Sequence, residues 1–156
     1  MLFEAMHTGH AVYATLHADR GEQVKNRLTN PPINLPESLV GAVHLIIVQY
    51  RQRRTGIRRT FEISEVIPTD TGVKLNKVYQ WNPKTDKLDK VGEYIRITDE
   101  LFLHGGLTKK DLADDLDEKK KVLQYLINNK IFDLDDVGRV IAKYYRNKDA
   151  LMEEIK

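Results

Sequence analysis

The chain is 156 residues long and 41% hydrophobic, enough for one domain, or one with a small extension, built on a packed core, which excludes global disorder. Its formal charge of +2 is close to balance and gives no general argument for nucleic acid, and with no cysteine it can hold neither a disulfide nor a thiolate zinc site. No apolar run approaches the roughly 18 residues that span a bilayer, and the amino end lacks the pattern of a cleaved signal segment; a cytoplasmic protein fits these features.

Met1 to His7 carries Leu2, Phe3, Ala5 and Met6, a density that suits the last turns of a helix, with Gly9 as its C-cap. Ala11 to Leu16 is almost wholly apolar and predicts a strand covered on both faces, as in a parallel α/β sheet. His17 then falls at the carboxyl end of that strand, where open α/β sheets place their ligands. Arg20 to Thr29 predicts a short helix with Val24 and Leu28 on one face, capped by Asp19 and Glu22 and stopped by Pro31 and Pro32. Pro36 opens a second short helix that turns Leu39, Val40 and Val43 inward.

His44 to Arg51 reads as a strand, central and buried because Leu45-Ile46-Ile47-Val48 is continuous. Thr55-Gly56 turns the chain, and Ile57 to Ile67 returns with Phe61, Ile63 and Ile67 on a covered face and Arg58, Thr60, Glu62 and Ser64 on a wet one. A second hairpin follows: Val73 to Trp81, with Val73, Leu75, Tyr79 and Trp81 in register, the polar turn Asn82 to Lys87, and a return over Leu88 to Ile97. Same-face Tyr79 and Trp81 fit a core better than a base-stacking pair.

From Thr98 the composition becomes helical. Thr98 and Thr108 are candidate N-caps, Leu112, Leu116, Leu123, Leu126 and Ile127 follow helical spacing, and Asp133 caps a helix carrying Val137, Val140, Ile141, Tyr144 and Tyr145. Leu151, Met152 and Ile155 mark a last short helix, and Lys119 to Lys121 with Asp114 and Asp115 form a solvated face. The expected fold class is α/β with antiparallel edge hairpins over residues 1–97, followed by a small helical subdomain over 98–156.

Two groups of residues carry candidate chemistry. His10 and His17 lie about 23 Å apart along an extended chain at roughly 3.3 Å per residue, too far for a shared metal. An imidazole titrates near working pH and can donate a hydrogen bond to a phosphate oxygen. Arg51, Arg53, Arg54, Arg58 and Arg59 crowd one hairpin. They can grip nucleotide phosphates with bidentate contacts, bind a nucleic-acid backbone, or pair with acids such as Glu62 and Glu65.

The pattern Thr8-Gly9-His10 followed by Thr15-Leu16-His17-Ala18 resembles the His box of the secretion ATPase superfamily, the hexameric motors of type II and type IV secretion, type IV pili and the archaellum. Leu2 to Met6 before it, Arg27 to Pro36, Ile47 to Arg51, and Gly56 to Arg59 leading into Ile63-Ser64-Glu65-Val66 resemble the family's neighbouring segments in the same order, closest to its archaeal branch. The resemblance implies the C-terminal part of a RecA-like motor core, in which His17 and His10 sense the γ-phosphate and couple hydrolysis to motion. It implies ATP and magnesium in the full-length parent, a homo-hexamer of neighbouring subunits, an inner-membrane platform protein as partner, no DNA, and a location at the cytoplasmic face of the membrane. It also lends the phosphate-contacting role to Arg51, Arg53, Arg58 and Arg59. Neither a GxxxxGK[ST] phosphate loop nor a Walker B acid is in the sequence, so the chain alone is expected to bind no cofactor and to hydrolyse nothing. Gly105 to Lys109 has the wrong spacing for a phosphate loop and reads as a turn and helix cap. A stand-alone module that binds nucleic acid or protein through the arginine hairpin is the alternative function.

Overall fold

The structure, a computed structural model, describes residues 2–155 and divides into two units, Met1–Glu100 and Leu101–Lys156. In the first, helix α1 (Leu2–His7) ends as the sequence predicts. The amide of Gly9 donates to the carbonyl of Met6 at 3.1 Å and that of His10 to Ala5 at 3.0 Å, with Gly9 at a φ of 84°. This is the left-handed termination that glycine adopts without a Cβ clash.

The sheet has four antiparallel strands in the order β1 (Leu45–Arg51), β2 (Arg58–Thr69), β3 (Gly72–Asn82), β4 (Lys87–Lys90). Successive hairpins are the least demanding way to pair strands so close in sequence. Helices α2 (Gly21–Thr29) and α3 (Glu37–Val40) pack on one face. There Val40, Ile46, Val48, Val66 and Val73 form the core, joined by Val24, Leu28, Val43 and Leu75. Burying an aliphatic side chain of this kind contributes about 1.5–3 kcal/mol each.

Several expectations change. Residues 10–18 form no strand; Ala11 to Leu16 is irregular chain without a ladder partner among the described residues, and Tyr13 is 98% exposed. An apolar run becomes a strand only where a neighbour accepts its amides, and β1 to β4 pair with one another instead. β1 is an edge strand rather than a central one, and its side chains alternate between the covered and the open face of the sheet, so Ile46 and Val48 are buried while Ile47 is 53% exposed. On β2 the side assigned to water is the drier one: Glu62 and Ser64 are both buried. A bulge at Ile63/Ser64 shifts the register against β3. Tyr79 and Trp81 meet different aromatic neighbours, Tyr79 with Tyr94 at 6.3 Å and Trp81 with Tyr50 at 5.7 Å. The return strand stops at Lys90, and helix α4 (Arg96–Gly105) begins within the segment expected to be extended.

The start of α4 depends on two charged residues. The Glu65 carboxylate, fully buried, accepts from the amides of Ile95 at 2.9 Å and Ile97 at 2.7 Å and from the Asn76 side chain at 3.2 Å. An anion at a helix N-terminus satisfies donors that have no partner within the helix. Burial pushes the Glu65 pKa up, but these donors outweigh it and leave it below the usual carboxylate value. The Arg96 guanidinium donates to the carbonyls of Gly41, Val43 and Val66 at 2.7, 3.1 and 3.0 Å and to Glu100 at 2.7 Å. Thr98, expected as the cap, instead donates its hydroxyl to the carbonyl of Tyr94.

The second unit holds α5 (Lys109–Asn128), α6 (Leu134–Arg146) and α7 (Lys148–Ile155). Thr108 and Asp111 form the reciprocal cap their spacing predicts, and Asp133 accepts from the amides of Asp135 and Asp136. Gly106, at a φ of 63°, and Thr108 make residues 105–109 a turn and cap. Val122, Tyr144 and Leu151 form the core with Val140, Met152 and Ile155. Leu116, Leu123 and Ile127, which share the helical spacing, are exposed. In the charged run Lys119 pairs with Asp115 at 2.7 Å, while Lys120 and Lys121 face solvent.

Candidate functional site

The two histidines sit on the same exposed stretch. His10 lies one residue beyond the glycine that closes α1, and its Nδ1 is 3.0 Å from the Thr8 hydroxyl. His17 is exposed, and no side chain or backbone group among the described residues bonds its ring. It is therefore not at the tip of a covered strand, as its sequence position suggested, but on free chain three residues before α2. Nothing in the described residues brings either histidine into hydrogen-bond or ion-pair contact with the arginine hairpin.

α2 starts differently from its expected form. Asp19 and Glu22 make no reciprocal cap; the Asp19 amide donates to the Gln23 side chain at 2.8 Å. The Gly21 amide donates to Glu62 at 3.3 Å. A Cβ at Gly21 would lie 2.7 Å from that carboxylate and 3.2 Å from the Leu75 side chain, so a larger residue there would have to displace the Glu62 side chain. Glu62 also accepts from the Ser64 hydroxyl at 2.8 Å and sits 3.1 Å from the Lys77 ammonium. Burial pushes its pKa up, yet Ser64, Lys77 and Gly21 together hold it below the ordinary value. Arg20, Glu22, Glu62, Ser64, Leu75 and Lys77 line a cleft of about 140 Å³. With Gly21 and Ser64 on one oxygen and Lys77 on the other, Glu62 fastens α2 to the sheet. The sequence marks this residue only as a polar position on a strand, and its role becomes visible with Gly21 in place.

The arginines lie where the strand order puts them. The β1–β2 and β3–β4 turns fall at the same end of the sheet, with Arg51 opposite Arg58 at the last rung of the first hairpin. Arg59 reaches across to the second turn and grips Asp86 with two contacts, Nε to Oδ1 at 2.7 Å and Nη2 to Oδ2 at 2.5 Å. The Trp81 indole donates to the same carboxylate at 3.0 Å. The Arg59 guanidinium, and after it Trp81, hold the Asp86 pKa down to about 2. Behind this pair Tyr50 stacks near Phe61 at 6.1 Å and Trp81 at 5.7 Å. Of the residues proposed to contact phosphate, Arg59 is thus engaged. Arg51, Arg53, Arg54 and Arg58 have no acidic partner among the described residues. Glu62 and Glu65, the acids expected to pair with them, are turned to Lys77 and to the start of α4. The structure adds two cations that sequence spacing had kept apart from the group, Lys84 and Lys87, on the second turn and the strand after it. Asp86 is the only acid in the turn between β3 and β4.

Among the described residues no group of three or more His, Asp or Glu side chains is placed to hold a metal ion, and no helix is long and apolar enough to cross a membrane.

The chain matches no protein-family model. Three curated relatives come from the archaeon Methanocaldococcus jannaschii, and each is described as an uncharacterized protein. MJ0781 is 35% identical over 91% of this chain and 20% of its own length; MJ1287 is 31% identical over 83% of this chain and 50% of its own length. MJ0900 is 28% identical over 92% of this chain and 27% of its own length. The chain therefore spans a fifth to a half of the relatives it matches.

Proposed function

We propose that this chain is the C-terminal portion of a hexameric motor ATPase of the secretion and type IV filament class, carrying a phosphate-sensing His box. The observation that carries the reading is an unfinished strand–helix–strand unit. Ala11 to Leu16 is apolar and has no ladder partner among the described residues, α2 and α3, which pack on the sheet, come between it and β1 in the chain, and the outer edge of β1 pairs with no other described strand. Parallel strands need a helical crossover of a dozen or more residues between them, and residues 17–44 supply one. In a RecA-like core the 11–16 segment would lie beside β1, covered on both faces, and His17 would stand at its ligand-facing end.

In that setting the His17 imidazole donates a hydrogen bond to a phosphate oxygen, and His10, held by Thr8, orients the approach to the segment. Arg51, Arg53 and Arg58 are cations left for phosphates of the nucleotide or for the neighbouring subunit; Arg59 joins them only by leaving Asp86. In this reading the magnesium ion and the phosphate loop belong to another part of the parent, which works peripherally at the cytoplasmic membrane with its platform protein.

The test is His17→Ala in the full-length parent. Hydrolysis should fall by at least tenfold with circular dichroism and oligomer size unchanged, while the 156-residue chain by itself shows no turnover. Undiminished hydrolysis in the variant removes His17 from the site.

A second reading, a stand-alone binding module, is favoured by one observation: among the described residues the cations of the sheet end have no ion-pair partner except Asp86, which Arg59 holds.

A further inference from the structure

The motor reading offers the arginine hairpin a nucleotide's phosphates; the geometry points to a much broader anion. We propose that the end of the sheet formed by the β1–β2 and β3–β4 turns is a docking surface for the headgroups of an anionic phospholipid bilayer. The inference stands on this end of the sheet alone and does not require the motor reading.

Three features lead there. Six exposed cations, Arg51, Arg53, Arg54, Arg58, Lys84 and Lys87, have no ion-pair partner among the described residues. They belong to the turns and adjoining strand ends of the two hairpins, whose turns are about two strand spacings or ~10 Å apart, the outermost strands β1 and β4 being about three spacings or ~14 Å apart. That is a spread suited to many phosphates in a plane and too wide to converge on one. The single bidentate pair, Arg59 with Asp86, ties the two turns together, so the cations are presented by a braced edge.

The second feature is Ile57. It is 39% exposed, next to Arg58 and three to four residues from Arg54 and Arg53 in the same hairpin. Basic residues close to a partly exposed apolar one match the interface between headgroups and acyl chains. The third feature weighs against single-stranded nucleic acid, which needs free aromatic faces for stacking. Here Trp81 is half-buried, its N–H is given to Asp86, and its ring and that of Phe61 are packed against Tyr50.

Attraction of a basic residue to an anionic leaflet is worth roughly a factor of five in partitioning, and it is screened by salt. The experiment is flotation of the purified protein with vesicles of phosphatidylcholine alone and with vesicles that also carry phosphatidylglycerol. Retention is expected on the anionic vesicles only, and it should decline with added salt. The double variant Arg53→Gln/Arg54→Gln, confined to the exposed turn, should lower partitioning on the order of 25-fold at an unchanged melting temperature. The variant Lys120→Gln/Lys121→Gln removes the same net charge from exposed positions of α5 and should change partitioning less than about twofold.

Equal retention on neutral vesicles overturns the proposal. So does a loss in the lysine variant that equals the loss in the arginine variant. A protein that shifts duplex DNA at concentrations where anionic vesicles retain none of it also overturns the proposal and assigns the surface to nucleic acid. ATPase assays of the parent bear on none of these outcomes, so this inference and the motor reading fail separately.

Discussion

Two apolar runs of similar length meet opposite ends. Leu45 to Val48 finds an antiparallel partner within twenty residues along the chain and turns Ile46 and Val48 into the core. Ala11 to Leu16 finds none and lies in the open. Neither run is covered on both faces, although continuous hydrophobicity predicts that for each. The difference teaches that an apolar run specifies a need for burial, while the partner that meets the need is specified elsewhere. A hairpin brings the partner with it, whereas a parallel strand waits for a crossover and for a neighbour whose place in the sequence is remote.

Mutations can break this contrast. Ile46→Ala should cost about 3 kcal/mol, the usual loss for a truncated buried isoleucine, read as a fall in the denaturant midpoint of this chain. Glu65→Gln comes next: it keeps the shape but leaves a buried amide group where two backbone N–H donors need a carboxylate, and about 2 kcal/mol should be lost by the same measurement. The Arg59–Asp86 pair is exposed and contributes less. With its carboxyl pKa lowered from 3.8 to about 2, this pair adds stability above pH 3.8 and loses it as the pH falls toward 2. Melting temperatures followed into acid should therefore show a drop in that window that Asp86→Asn makes smaller, the remainder coming from the other depressed carboxylates such as Glu62 and Glu65. Tyr13→Ala should lie within about 0.5 kcal/mol of the parent chain. A large loss there would mean that the 11–16 segment is covered in solution and would erase the difference between the two runs.

What the sequence makes legible is local. Gly9 announces the end of α1, Thr108 with Asp111 and Asp133 announce the helices of the second unit, and alternating residues place β2 and β3 approximately. These signals act over three or four residues, so spacing alone captures them. What stays hidden acts at distance. Glu65 reads as one more polar residue in a strand until residues 95–97 come back to it, and Thr98 looks like the better cap because local hydroxyls are the usual donors' partners. Bulges at Val48/Gln49 and Ile63/Ser64 reset which side chains share a face, and no residue type signals them in this stretch. At the candidate site the histidines and arginines are recognisable by kind. Which cations stay uncompensated depends on Asp86 crossing between hairpins, a contact 27 residues apart in sequence.

The three carbonyls held by Arg96 belong to residues 55, 53 and 30 positions earlier in the chain. A helix forming on its own has no such partners; the contacts exist only where the loop after α3 and β2 are already side by side. The opening turn of α4 is thus latched to two remote stretches of chain through one side chain, and truncating Arg96 would take the donor from all three carbonyls at once.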